Sequence, residues 1–340
     1  MRHVRLGTLL ACCLIASMAP QTAHAQADFY KGKTITLIVG TRVGGSIGNT
    51  SLLVSRYLGR YIPGNPTIIL RQQPGGAHLN ATNAVYNVAD ADGLTILGSN
   101  PAIAMAQLAK VQQVRFDVRQ LQWIGSTGPD GTLFAIRSEL PYKSFEELKT
   151  AKEDLVIGTT GPGSNSYDVP LLLKEFAGAR FKMLSGFQAN GDIRLALERG
   201  EADGWSALAT PVRQAAAAGK VRPLVRGRAP VKGFESLPVD EQLAPPGIGR
   251  SLLVIRGTPL AIGKPFAVRP GVPADRVAIL TKAFAEMVKD PQFLADAQKL
   301  DIDIDPLTAQ QVTNDFTAMM SQPQEAVDLM LKYIKLEGGG

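Results

Sequence analysis

Apolar and polar positions follow two periods along the chain. Short β-branched runs of strand type alternate with stretches whose apolar residues recur three and four apart, which is the appearance of βαβ units around a mainly parallel sheet. The first run covers 35–40, followed by a Gly-rich loop over 41–48 and a helix over 49–61 with Leu53, Tyr57 and Leu58 on one face. A strand over 67–70 comes next, then Pro74-Gly75-Gly76 opening a helix toward Val88, then a strand over 95–98. After Trp123 the pattern restarts, with strands over 133–137, 155–159 and 181–184 between helices over 144–151, 164–177 and 192–199. Two similar units in series predict an α/β protein of two lobes, each a mainly parallel sheet flanked by helices.

A short internal echo bears on how the lobes connect. Phe134-Ala135-Ile136-Arg137 followed by Pro141 matches Phe266-Ala267-Val268-Arg269 followed by Pro273 at the same spacing. Either the match is chance, or both are strands at the outward and return crossings between lobes. The second reading gives lobe 1 as 26–126 plus 270–337 and lobe 2 as 127–269, with helices over 274–289, 308–320 and 324–335 at the end. Two crossings make a hinge.

Ahead of the first strand, Arg2 and Arg5 form a basic start, 6–19 an apolar stretch and Ala23-His24-Ala25 a small-x-small site, which predicts an export signal over 1–25, cleaved after Ala25, and a periplasmic destination. A lipoprotein reading of Leu9-Leu10-Ala11-Cys12 leaves only 6–11 as the apolar core. Cleavage removes Cys12, Cys13, His3 and His24, leaving His78 as the one imidazole. Disulfides, thiolate zinc, a Cys nucleophile and any two-His metal site are thereby excluded, so neither cofactor nor metal is expected. Basic residues are dispersed and aromatics are 6%, which argues against a nucleic-acid stripe with stacking residues.

Three Gly-rich loops carry the candidate chemistry. Gly44-Gly45-Ser46-Ile47-Gly48 has the form of a hydrolase nucleophile elbow, but that mechanism needs an acid and then a His after the Ser, and 47–77 contains no Asp or Glu before His78. Ser46 reads instead as a hydrogen-bond donor. Gly158-Thr159-Thr160-Gly161-Pro162-Gly163-Ser164 has the spacing of a phosphate loop, yet Ser164-Asn165 stand where Lys and Ser/Thr are required. As a dinucleotide fingerprint, Gly161-x-Gly163-x-x-Ser166 lacks its third Gly. What survives is shared physics: loops at 44–48, 74–78 and 161–166 each open a helix, whose exposed N–H groups and positive dipole end suit an anion.

Asp301, Asp303 and Asp305 alternate with Ile302 and Ile304, but Pro306 and Val312 stand where a calcium loop needs Gly and Glu, so a strand with a wet acidic face is expected. His78 is a ligand contact or a structural residue, and Trp205 is core or a cleft wall.

Taken together, the residues resemble those of the Bug-type, TctC-like solute receptors of tripartite tricarboxylate transporters. The resemblance runs through Ile35-Thr36-Leu37-Ile38-Val39 and Gly44-Gly45, Ile62-Pro63-Gly64-Asn65-Pro66, Pro74-Gly75-Gly76, and Tyr86-Asn87-Val88-Ala89 with Asp92-Gly93. It continues through 158–164, Glu198-Arg199-Gly200-Glu201-Ala202-Asp203-Gly204, Pro265-Phe266 and Pro270-Gly271-Val272-Pro273-Ala274-Asp275-Arg276. It implies a type II periplasmic-binding fold whose two lobes close on a small organic carboxylate held by loop backbone groups and ordered water, with membrane permease subunits as partners; a monomer is expected. Many relatives carry Asp where Gly48 stands, Arg where Leu52 stands and Pro where Arg42 stands. Arg42 is a charged ligand contact or a solvated loop residue.

The expected cleft lining is Arg42, Gly44, Gly45, Ser46 and Asn49, then Gly75, Gly76, Ala77 and His78, then Ser99 and Asn100 from lobe 1. Lobe 2 contributes Thr160, Gly163, Ser164, Asn165 and Ser166, then Phe187, Asn190 and Asp192. No catalytic residue is expected. The alternatives are a binding protein that presents its ligand to a membrane sensor, and an exported Ser hydrolase.

Overall fold

The computed structural model describes residues 29–334, so the export signal over 1–25 lies outside the described residues. The chain begins with β1 (Thr34–Val39), α1 (Ser46–Tyr57), β2 (Thr67–Gln72), α2 (Leu79–Asn87), β3 (Thr95–Gly98), α3 (Ile103–Leu108) and β4 (Gln122–Ser126). It then crosses into β5 (Thr132–Arg137), α4 (Phe145–Lys149), β6 (Leu155–Thr159), α5 (Asn165–Ala177), β7 (Phe181–Ser185), α6 (Asn190–Glu198), β8 (Gly204–Leu208), α7 (Ala209–Ala217), β9 (Val221–Arg226) and α8 (Asp240–Leu243). A long helix, α9 (Ile248–Ile262), leads back to β10 (Pro265–Val268), and α10 (Ala274–Met287), α11 (Pro291–Lys299), α12 (Ala309–Met320) and α13 (Gln324–Tyr333) follow.

The strands form two five-stranded sheets with one strand order. The first runs β2-β1-β3-β10-β4 and the second β7-β6-β8-β5-β9. β10 and β5 occupy corresponding places, each antiparallel to both neighbours, while β1 and β6 pair in parallel on both sides. The Phe-Ala-x-Arg echo falls on these two corresponding strands. Each also shifts register at the same point, between Phe134 and Ala135 against β9 and between Phe266 and Ala267 against β4.

Side-chain alternation explains why these runs become sheet. In lobe 1, Ile35, Leu37, Ile96, Ile124 and Phe266 point into one core, while Ile38, Leu97, Trp123 and Ala267 point into another on the opposite face. Lobe 2 repeats the arrangement, with Phe134 and Ile136 on one side and Leu133 and Ala135 on the other. A sheet apolar on both faces must be covered by helices on both. Trp205 is fully buried among Leu133, Ile193 and Val212, so it is core and not cleft wall.

The two crossings are bound to each other. Thr127 N–H donates to the Lys264 carbonyl at 3.2 Å and Asp130 N–H to that of Leu260 at 2.8 Å. Ser126 Oγ donates to the Ile262 carbonyl at 2.6 Å and accepts from Lys264 N–H at 3.2 Å. Lys264, 4% exposed, pairs with Asp130 at 2.7 Å. Because β10 pairs in the first sheet, the chain is back in lobe 1 by Pro265, earlier than the return near 270 read from the sequence. Pro270-Gly271-Val272-Pro273 turns the chain between β10 and α10, within lobe 1.

One expectation is corrected outright: the acidic stretch 301–306 is not a strand. Ile302 and Ile304 do turn inward against the lobe 1 core, but the backbone lies along the crossing instead of in a sheet, with Asp305 N–H donating to the Thr127 carbonyl at 3.1 Å. Asp303 accepts from Arg213 of lobe 2 at 2.9 Å. Beside this pair a cavity of about 430 Å³ is lined by Pro129, Ala209, Arg213, Val231 and Asp303.

Candidate functional site

Strand direction decides where the loops go. β1, β2, β3 and β4 run one way, so their carboxyl ends share one edge of the first sheet, and β6, β7, β8 and β9 do the same in the second. The outward crossing joins the carboxyl end of β4 to the start of antiparallel β5, which turns the two loop-bearing edges toward each other. In each sheet the order reverses direction at β1 or β6, the switch point where open α/β sheets hold ligands. The loops after β1 and β6 are the first and third Gly-rich loops.

At the first loop, Val43 N–H donates to Gln72 Oε1 at 3.1 Å and Gly44 N–H to Asn49 Oδ1 at 2.8 Å. Asn49 therefore shapes the loop with its carbonyl oxygen. A Cβ on Gly48 would lie 2.3 Å from the Arg42 carbonyl, so the loop's path through Arg42 requires a residue without a side chain there. Helix α1 has Gly45 at its N-cap and no side-chain cap, so the N–H groups that open it, beginning with exposed Ser46, lack intrahelical acceptors.

The second loop is strained. Gly75, Gly76, Ala77 and His78 all have positive φ, the last two at 48° and 74°. For non-glycine residues such backbone costs on the order of 1–3 kcal/mol each and tends to persist at ligand clamps. It is anchored by Gln73 N–H on the Val39 carbonyl at 2.8 Å, which sets it beside the first loop. After β3, Ser99 is buried with its N–H on the Pro265 carbonyl at 2.9 Å, and Asn100 Oδ1 accepts from Ala102 N–H at 2.9 Å to start the following turn.

In lobe 2 the hydroxyls read as ligand donors are engaged with one another. Ser166 Oγ, buried, accepts from Thr160 N–H at 3.0 Å and lies 3.1 Å from Thr160 Oγ1 and 2.9 Å from Ser164 Oγ, while Ser164 Oγ donates to the Gly161 carbonyl at 2.7 Å. Gly163 N–H donates to Asp168 Oδ1 at 2.9 Å. Helix α5 has no side-chain cap, and while the Tyr167 and Asp168 N–H groups donate to the Ser164 carbonyl, the Asn165 and Ser166 amides at its start have no intrahelical acceptor. In the next loop Asp192 Oδ2 accepts from Ala189 N–H at 3.0 Å, capping α6 on which Asn190 is the exposed first residue, and Phe187 packs against Gly158 and the lobe core.

The formal charges of these lining residues are one cation and one acid. Arg42 is exposed, and the one acid among the proposed lining residues, Asp192, is engaged as a helix cap. The residues that sequence reasoning missed lie behind the third loop. Asp168, 0% exposed, pairs with Arg256, 9% exposed, at 2.8 Å. The available signal was Arg256 itself, a lone charge in the apolar run Leu252-Leu253-Val254-Ile255-Arg256.

Two α/β lobes of one topology, joined by paired crossings and presenting their switch points to each other, are the architecture of a periplasmic-type binding protein. No protein-family model and no curated protein matches the chain. Among solved structures it is similar to a TctC solute-binding protein from Polaromonas, solved without ligand, at 19% identity over 88% of this chain and 99% of that one, with a TM-score of 0.73. It is similar to a Rhodopseudomonas palustris protein solved with adipate, at 16% identity over 88% and 97% with a TM-score of 0.54. The R. palustris protein MatC with bound malate aligns at 18% identity over 87% and 99% with a TM-score of 0.51. The chain has the two-lobed fold of these binding proteins, as its sequence resemblance implied.

Proposed function

We propose that this chain is a periplasmic solute-binding protein that captures a small organic carboxylate between its lobes and delivers it, as a monomer, to the membrane permease subunits of a tripartite tricarboxylate-type transporter. The observation that carries the reading is the pair of uncapped helix starts, α1 and α5, at the switch points of opposed sheets, with Arg42 adding positive charge. An acid group at each end of a ligand meets one helix start in each lobe. The malate and adipate in the neighbouring structures are acids of that form. The site needs no nucleophile, since binding by backbone amides and one guanidinium leaves the ligand unchanged.

The test is a thermal-shift screen of the mature protein against aliphatic and aromatic mono-, di- and tricarboxylates. A ligand that binds only the native state at about a hundred times its Kd adds ~2.7 kcal/mol of apparent stability. Di- or tricarboxylates are expected to raise Tm, and a flat profile across the panel would remove the carboxylate reading.

A further inference from the structure

The buried Arg256–Asp168 pair serves one loop. Asp168 accepts Gly163 N–H on Oδ1 at 2.9 Å and Arg256 Nε on Oδ2 at 2.8 Å. The same guanidinium extends one nitrogen to Asn165 Oδ1 at 2.6 Å and to the Gly163 carbonyl at 3.4 Å. These contacts to Gly163 and Asn165 fall within 163–165, the loop that opens α5. Taking two charges out of water is costly, and an apolar pair of similar volume packs as well or better, so stability alone does not explain an ion pair here. What a planar fork supplies, and an aliphatic pair does not, is fixed geometry for the groups it touches.

The pair also sets charge. Asp168 is the acid in the first turn of α5, directly behind a helix start that is to face an anion. Unpaired, its carboxylate would oppose that anion, and Arg256 neutralises it. Arg256 further connects the loop to α9, which packs on α5 and on α12 and α13 of lobe 1 and ends at Gly263 in the return crossing.

We infer that Arg256 and Asp168 are positioning residues for ligand binding, holding the loop over 160–166 in the geometry that meets one carboxylate of the ligand. The inference rests on the binding reading above. Its first test is independent of any ligand: amide hydrogen exchange of wild type, R256K and N165A. R256K keeps the charge and loses the fork, and N165A removes the loop's side-chain contact with Arg256 from an unburied position. Exchange across 161–166 is expected to rise at least tenfold in both, with β6 and α9 unchanged. Unchanged loop exchange in folded R256K overturns the inference.

Calorimetry with adipate and its monomethyl ester gives the second test. Wild type is expected to prefer the diacid by at least tenfold, and in R256K that ratio falls toward one, because the lobe 2 contact to the second carboxylate is lost. A merely structural defect weakens both ligands alike and leaves the ratio intact, which would also overturn the inference. If wild type binds neither compound, the same pair of measurements is made with an acid that raises Tm in the panel and its monoester, and the exchange experiment decides independently whether Arg256 holds the loop.

Discussion

A Cβ built on Gly263 would lie 1.8 Å from the carbonyl oxygen of Gly128, so the two crossings between lobes touch backbone to backbone. Gly263 also has φ +72°, a region that side chains disfavour. The sequence G263A is therefore expected to lose at least ~2 kcal/mol of stability, from strain and displacement of the crossing. Urea unfolding measures it, and a midpoint equal to wild type would show that the crossing yields freely.

Because the lobes are joined by two short crossings with the candidate loops on facing edges, ligand is expected to close them. Small-angle scattering of the mature protein, with and without an acid found by thermal shift, should show a smaller radius of gyration when bound. The same radius in both states counts against hinge closure.

Arg42 is an exposed cation in the first Gly-rich loop. R42A is expected to weaken binding of a dicarboxylate by roughly tenfold or more, since a lost charge-assisted hydrogen bond is worth ~1.5–3 kcal/mol. Titration calorimetry of R42A beside wild type decides between a ligand contact and a solvated side chain. Affinity within twofold of wild type identifies the latter.

Asp240 lies buried at the start of α8, near Gly227 and Thr132 at the end of lobe 2 that meets the hinge. Burial pushes its carboxyl up to about 7, the Glu241 charge adds to this, and the Glu241 N–H with the Arg228 and Arg256 guanidiniums oppose it. An unfolded Asp titrates near ~3.9. Between those values the native state holds a proton that the unfolded state has released, so this group's contribution falls as pH rises from about 4 through 7. D240N retains an oxygen for the Glu241 N–H and is expected to flatten that decline and to be more stable than wild type at pH 8. Denaturant unfolding across pH checks it, and parallel curves for the two proteins would contradict it.

Export predicts that the mature protein begins at Gln26, which N-terminal sequencing of periplasmic material reads directly. A chain starting at a lipid-modified Cys12 would refute cleavage after Ala25.

Periodicity was a good guide where a run was bounded by glycine or proline. Strands over 95–98 and 155–159 were legible to the residue, because apolar β-branched side chains sit between clear turn signals. Strands β4, β8 and β9 were harder: Gly204-Trp205-Ser206-Ala207-Leu208 has no alternation, since both faces of the strand are buried and small residues fill one of them. The loops were placed correctly at helix starts, but the use of their side chains was not. Whether Ser166, Asn49 or Asp192 faces a ligand or ties its own loop depends on the turn geometry that brings it against backbone three to six residues away along the chain, and nothing in composition distinguishes the cases. Asp168 and its partner Arg256 lie 88 residues apart, beyond the reach of any local pattern.

The position of β10 has a consequence for the order in which the molecule assembles. Lobe 2 is one uninterrupted stretch of chain and can complete its sheet from local material. Lobe 1 cannot, because the strand that joins β3 to β4 is made only after the whole of lobe 2. Until Pro265 to Val268 arrive, β3 and β4 expose unpaired edges to each other across the gap that β10 later fills. Such long-range pairing is slow to form and aggregation-prone while it waits. The lobe that carries Arg42 and the strained loop at His78 is thus the last to become competent, and any chaperone that attends this protein has most to do there.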